Sequence, residues 1–298
     1  MTSPTSPPRP LELTRLAAEH LAEKGIEEAR LEAELLLAHV LGIRRLDLYL
    51  QFERPLEPAE VDAYRHALRR RAEREPLQYI TGEVEFRDLT LAVDRRVLIP
   101  RPETEVLVGE VLRWAEEAGG AGREDGDGAG RVLDLGTGSG AIVLSLLHEG
   151  PFEAGVATDV SEAALEVAAA NAATHGLTDR VDLRVGPLWE PIGDGETFRV
   201  IVANPPYVAD GEREQLAPEI RDHEPEEALF AGPDGLGLVR EFVAGAPAHL
   251  ATGGLLAVET GLGQAEEVAA LCRDAGFTAA RVATDLTGRE RIVLAVHD

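Results

Sequence analysis

The stretch from Arg131 to Ala141, RVLDLGTGSGA, constrains this chain more than any other. Val132-Leu133-Asp134-Leu135 has the length and apolarity of a buried strand. It runs straight into Gly136-Thr137-Gly138-Ser139-Gly140, and an apolar helix over Ala141–Leu147 follows. Strand, glycine turn and helix open a βα unit, whose natural destination is a parallel sheet covered by helices. Glycines in such a turn let the backbone approach a ligand closely, and the helix N-terminus favours negative charge. A second strand over Gly155–Asp159 ends on Asp159, 23 residues after Gly136, where a carboxylate can accept from two ribose hydroxyls. A nucleotide-type cofactor is the expectation. The turn does not choose among such cofactors, because Gly136-x-Gly138-x-x-Ala141 also meets the dinucleotide fingerprint.

The rest of that region alternates in the same way. A helix over Ser161–His175 precedes strands at Val181–Val185 and Arg199–Ala203. A helix near Leu236–Leu250, a strand at Leu255–Glu259, another helix and two strands near 277–283 and 291–296 complete the pattern. The fold class is α/β, a doubly wound, mostly parallel sheet. No internal repeat is visible.

The N-terminal quarter reads differently. Residues 1–10, MTSPTSPPRP, read as a disordered tail with no apolar core and so no signal peptide. Apolar stripes at helical spacing follow: Leu13, Leu16, Ala17 and Leu21, then Leu31, Leu35 and Ala38, then Val61, Tyr64 and Leu68. They predict a helical bundle over 11–75, with stops at Gly25 and Gly42. It ends in the basic run Arg69-Arg70-Arg71 and Arg74, for which a solvated helix face is the plain reading. Over 76–99, short β-rich pieces (Gln78–Ile80, Leu89–Val93, Val97–Ile99) predict a β-hairpin linker. A helix from about Glu103 to Glu117 and an exposed Gly-, Asp- and Glu-rich loop over Gly119–Gly130 lead into the α/β region, taken as 100–298.

Composition then removes several function classes. With 29 Lys+Arg against 54 Asp+Glu the formal charge is −25, and residues 91–298 carry 16 against 37. Such acidity argues against direct nucleic-acid binding driven by phosphate attraction, and against an anionic membrane surface. Cys272 stands alone, so no disulfide framework or cysteine metal cluster is expected, and the eight histidines show no metal-ligand spacing. No run approaches 18 apolar residues. A cytoplasmic protein without a metal is the expectation.

Asn204-Pro205-Pro206-Tyr207 decides the chemistry. It follows the strand Val200–Ala203 at the C-terminal edge of the sheet, where ligands of such folds bind. Two prolines hold the backbone in preset directions. The Asn204 side-chain oxygen and the Pro205 carbonyl can accept both hydrogens of a planar, conjugated NH2 group while Tyr207 stacks on its plane. Drawing the nitrogen lone pair out of conjugation lets a weak nucleophile attack an activated methyl group.

With strand-GTGSG-helix, Asp159 and Asn204–Tyr207, the chain resembles class I S-adenosylmethionine-dependent methyltransferases acting on an amide or amino nitrogen. More closely, it resembles the peptide chain release factor glutamine N5-methyltransferases. Further segments carry this: Pro76-Leu77-Gln78-Tyr79-Ile80-x-Gly82, Val97-Leu98-Ile99-Pro100-Arg101-Pro102-Glu103-Thr104-Glu105, Glu226-Glu227-Ala228-Leu229-Phe230-Ala231-Gly232, Asp234-Gly235-Leu236 and Asp285-Leu286-x-Gly288.

The resemblance implies a Rossmann-like methyltransferase sheet behind the helical domain, S-adenosylmethionine as cofactor, and release factors, modified in a Gly-Gly-Gln motif, as protein substrates. It places Gly136, Thr137, Gly138, Ser139, Gly140, Asp159 and Asn204 on the cofactor. Asn204, Pro205, Pro206 and Tyr207 would lie on the substrate amide, with Asn204, Pro205 and Tyr207 catalytic. Leu188 aligns with the adenine-side position, and Pro187 departs from the acidic residue common there. Trp189 is an alternative core aromatic. Thr260, in Val258-Glu259-Thr260-Gly261, stands where an aliphatic residue is usual. An adenine-N6 DNA or RNA methyltransferase would share the turn and Asn204–Tyr207, and is the alternative.

Overall fold

The computed structural model describes residues 8–117 and 130–297, which form two compact units. The expected disordered tail therefore falls mostly outside the described residues, as does nearly all of the Gly119–Gly130 loop. Pro10, assigned to that tail, is instead the buried first residue of a helix, and the Pro8 carbonyl accepts from the Leu56 N–H at 3.0 Å.

The first unit comprises residues up to Gly82 together with 217–223. Its helices are α1 (Pro10–Glu23), α2 (Ala29–Leu41), α3 (Asp47–Leu50), α4 (Pro58–Ala72) and α5 (Leu77–Thr81). Proline opens α1 and α4, where its missing N–H costs nothing, and Gly42 closes α2 in the left-handed region. Leu21, Leu36, Leu37, Leu48 and Tyr64 are completely buried, and the Tyr64 hydroxyl donates to the Ala33 carbonyl at 2.8 Å. In α2 Ala38 is buried as expected, but the stripe runs through Ala29, Ala33, Leu36 and Leu37 while Leu31 and Leu35 are only half-buried, and Leu16 of α1 faces out.

Two further expectations fail here. Gln78–Ile80 is helical because Pro76 starts a turn, accepting from the Tyr79 and Ile80 N–H groups, and Gly82 at φ +82° ends it. Nor is the basic run a solvated face. Arg71 is buried and paired with Glu32, and Arg70 pairs with Glu75 at 2.7 Å. Glu219, on the short helix Pro218–His223 that belongs to this unit, binds Arg71 at 3.0 Å and Arg74 at 2.8 Å.

The second unit holds Glu83–Leu216 and Glu224–Asp298, so the β-hairpin is part of it. That hairpin pairs β1 (Glu83–Phe86) with β2 (Leu89–Ala92), and Val97–Ile99 forms no strand. α6 (Pro102–Glu117) follows. Then come β3 (Arg131–Leu135), α7 (Ala141–Glu149), β4 (Ala154–Asp159), α8 (Glu162–Thr174), β5 (Val181–Val185) and β6 (Phe198–Ala203). The short Pro218–His223 helix is α9. α10 (Gly237–Gly245), β7 (Leu250–Glu259), α11 (Ala265–Asp274), β8 (Ala279–Thr284) and β9 (Glu290–His297) complete the chain.

Seven strands lie in the order β5-β4-β3-β6-β7-β9-β8, with only the pairs made by β9 antiparallel. Side chains alternate across this sheet. Val132, Val200 and Val202 enter an apolar cluster with Leu107, Val111 and Leu146; Leu133, Ile201 and Ala203 enter a second one with Phe242 and Val268. Helices therefore cover both faces, and the ends of β3 and β6 meet where the strand order reverses. Among the described residues no helix is long and apolar enough to cross a membrane.

Candidate active site

The glycine turn is built by its own backbone. Gly136, Gly138 and Gly140 sit at φ +77°, +54° and +83°, the left-handed region that side chains resist. The Gly136 and Thr137 N–H groups both donate to the Thr158 carbonyl at 2.9 Å. Beneath the turn, the buried Asp134 carboxylate accepts from the Thr137 hydroxyl at 2.7 Å and the Val143 N–H at 3.3 Å; burial pushes its pKa up to about 7. Asp134 was not anticipated as a structural residue, although a carboxylate inside a buried strand signals one.

Gly136 and Gly138 line a cleft at the C-terminal edge of the sheet, together with Leu135, Thr158 and Asp159. A Cβ added to either glycine meets no atom within 4 Å and would project into open space. Thr137, Ser139 and Gly140, also expected on the cofactor, do not line the cleft. The Thr137 hydroxyl is engaged by Asp134, Ser139 is buried with its carbonyl accepting from Asn171, and Gly140 caps α7.

Asp159 holds the cleft floor. One oxygen accepts from the Gly138 N–H at 2.9 Å and the other from the Ser161 N–H at 2.9 Å. A carboxylate has more acceptor sites than these bonds use. Burial raises its pKa despite those bonds, with the nearby Glu227 adding to the rise. Leu188 lines the cleft beside Gly186 and Pro187 and takes a positive φ of +41°, a strained setting for a leucine. Trp189 does not line the cleft: partly buried, it packs against the core, stacking on Phe242 and His249, and its indole N–H donates to the Glu241 carbonyl at 3.1 Å.

Asn204, Pro205 and Pro206 line the same cleft, together with Pro225, Glu227 and Ala228. The Asn204 NH2 donates to the Thr104 hydroxyl at 3.1 Å. Tyr207 does not line the cleft. Its carbonyl accepts from Gln264 at 3.1 Å, and the Arg291 guanidinium lies 6.0 Å from its ring centre. Burial first, then Glu259, push the Tyr207 phenol up to about 12. The Tyr207 carbonyl also explains Gly235: an added Cβ would stand 2.3 Å from that oxygen, and φ is +72°.

Arg96, Val97 and Leu98 complete the cleft. Asn171 on α8 ties the hairpin to the turn, its amide joining the Ala92 backbone and the Ser139 carbonyl. Glu224 accepts from the Ile99 N–H at 3.2 Å and pairs with Arg101, so Arg101 braces a loop rather than lining the cleft. Val97 and Leu98 lie in a segment singled out above by resemblance, whereas Arg96 and Pro225 lie just outside the segments named, and no chemical signature marked any of them.

A methyl donor with an adenosyl group fits these residues. The cleft offers open space over two side-chain-free glycines, apolar walls at Leu98 and Leu188, and one carboxylate with spare acceptor capacity.

Comparison with known proteins places this arrangement. Residues 12–82 match the model of the PrmC N-terminal domain, and residues 124–226 that of the methyltransferase small domain. The chain is 45% identical over 274 residues to the release factor glutamine methyltransferase of Geobacter sulfurreducens, covering 92% of each chain. It is 42% identical to that of Cereibacter sphaeroides, over 96% of this chain and 98% of the relative. The catalytic domain of hMettl16, solved in complex with MAT2A 3'UTR hairpin 1, shares the fold at a TM-score of 0.54 and 17% identity, covering 70% of this chain and 74% of that one. With its class I methyltransferase sheet, its glycine-turn cleft and these relatives, the chain belongs to the S-adenosylmethionine-dependent release factor glutamine methyltransferases.

Proposed function

We propose that this protein transfers a methyl group from S-adenosylmethionine to the side-chain amide nitrogen of the Gly-Gly-Gln glutamine in peptide chain release factors. The observation that carries the reading is the pairing of two turns on one cleft, lined by Gly136 and Gly138 of one and by Asn204 and Pro205 of the other. The bound cofactor supplies a methyl group on a sulfonium, already an excellent leaving group. The protein's task is placement and amide polarisation more than strong base catalysis.

Asp159 holds the ribose hydroxyls, Gly136 and Gly138 admit the methionine side, and Leu188 packs on the adenine. The Asn204 Oδ1 and the Pro205 carbonyl accept the two hydrogens of the glutamine NH2. Pro206, with no N–H, keeps this wall free of competing donors. Tyr207 holds the turn in place, its carbonyl accepting from Gln264. Holding the NH2 so that its lone pair leaves conjugation stabilises the transition state selectively.

A glutamine side chain is common to most proteins, so this pocket cannot select one by itself. The helical unit docks the body of the release factor. Its exposed Leu46, Leu50 and Phe52 supply the apolar contact, since much of the basic run at 69–74 is taken up in internal ion pairs. Labelled cofactor offered with intact release factor, a Gly-Gly-Gln peptide or nucleic acid tests both parts. Intact factor should be methylated with a kcat/KM at least about a hundredfold above the peptide, through remote binding energy. Equal efficiency on peptide and factor removes the docking role, and label in nucleic acid alone removes the substrate assignment.

A further inference from the structure

Behind Asn204 lies a buried chain of side chains from three separate elements. Its NH2 donates to Thr104 Oγ1 at 3.1 Å, and the Thr104 hydroxyl donates to Glu259 Oε2 at 2.6 Å. Thr104 stands in the first turn of α6, and Glu259 is the last residue of β7, the strand beside β6. They are 3% and 1% exposed, and neither lines the cleft. Neither can touch substrate, yet both are polar and placed where apolar residues would pack at lower cost.

The proton count gives the pair its use. A threonine hydroxyl has one proton, and an ionised carboxylate only accepts. An ionised Glu259 therefore accepts the one hydrogen bond the Thr104 hydroxyl can donate, and the Thr104 oxygen can meet Asn204 only as an acceptor. The side-chain amide must then turn its NH2 inward and its Oδ1 the other way. Among the described residues no donor reaches that Oδ1. A free asparagine amide would sample both orientations, and the flipped one would point an N–H at the substrate NH2.

We propose that Thr104 and Glu259 are positioning residues that lock the Asn204 amide with its oxygen toward the substrate nitrogen. This rests on the reading of Asn204 as the acceptor for the glutamine NH2. The surroundings of Glu259 make its charge state part of the device. Burial pushes its pKa up to about 7; the Thr104 hydroxyl lowers it, Glu103 raises it, and Arg291 and Arg101 lower it, with the Tyr207 phenol also in its field. A protonated Glu259 could donate to Thr104 and release the hydroxyl proton toward Asn204.

The test measures methyl transfer to intact release factor by the full-length protein and its variants, with cofactor affinity and Tm recorded alongside. Thr104→Val keeps the shape and removes the hydroxyl. It should lower kcat about tenfold or more, as misorientation of a reacting group does, with cofactor Kd within twofold. Thr104→Ser should restore kcat to within about threefold of wild type, because it restores the same donor and acceptor. In an Asn204→Ala background Thr104→Val should cost less than about threefold further, the non-additivity expected of groups acting as a unit. Wild-type kcat should fall as pH drops below about 7, and Thr104→Val should flatten that fall. Wild-type turnover in Thr104→Val, or an undiminished loss in the Asn204→Ala background, overturns the proposal. Full activity in Asn204→Ala would instead overturn the reading beneath it.

Discussion

Two turns end neighbouring strands of the same sheet and are built from opposite materials. After β3 the chain uses glycine, with three positive φ angles and open space where side chains would be. After β6 it uses proline, which removes freedom and, with it, the backbone N–H. The glycine wall is rich in donors and room, and its N–H groups are satisfied by the Thr158 carbonyl and Asp159. The proline wall is poor in donors and offers carbonyl oxygens. A bulky nucleotide needs the first kind of surface, and an NH2 group with two hydrogens to place needs the second. The two walls should therefore fail in different ways.

The largest separation is expected at Asn204. Asn204→Ala removes one preorganised acceptor and should lower kcat about a hundredfold or more, while calorimetry finds cofactor binding nearly unchanged. Turnover within threefold of wild type would erase the functional contrast between the walls.

Asp159→Ala should give the opposite split. A charge-assisted hydrogen bond is worth about 1.5–3 kcal/mol, so cofactor Kd should rise tenfold or more. The same carboxylate orders the Gly138 N–H, so part of the loss comes through the turn itself. An unchanged Kd would move the ribose contact to another residue.

The smallest effect concerns the stability cost of the buried carboxylates. Glu259 has its ordinary pKa of 4.5 raised to about 7, chiefly by burial. Between these values the unfolded chain is ionised and the folded one protonated. Stability is thus fully present below pH 4.5 and lost as pH rises through 7. Glu259→Gln keeps the size and cannot ionise. Its Tm relative to wild type should be higher at pH 8 than at pH 5, by roughly a few degrees. A difference that does not change with pH would mean Glu259 stays neutral or stays charged throughout, and that its charge state does not steer Asn204.

The sheet was legible in the sequence because each strand there is an apolar run closed by a turn signal. Val181–Val185 is observed as read, and β3, β4 and β6 differ by at most a residue at an end. Gln78–Ile80 was not, because its β-rich composition competes with a proline start and a glycine stop, and five residues are too few for periodicity to arbitrate. Leu36 and Leu37, the most buried leucines of α2, escaped the pattern for a related reason. Nearly every face of ARLEAELLLAHVL offers a leucine or alanine, so only packing decides which are covered.

What the sequence determined by itself is the chemistry of contiguous residues. The left-handed backbone at Gly136, Gly138 and Gly140 and the proline-stiffened turn at Asn204–Pro206 follow from adjacent residues, because turn geometry depends on which residues are adjacent. The tertiary structure decided everything that depends on residues distant along the chain. It set aside Thr137 and Ser139 from the cleft, packed Trp189 against the core, buried Arg71 against Glu32 and Glu219, and brought Thr104 and Glu259 together next to Asn204. Thr104 and Glu259 are 155 positions apart, and no local pattern specifies their meeting. Only the strand order that sets β7 beside β6, with α6 packed against β7, brings these two polar residues together next to Asn204.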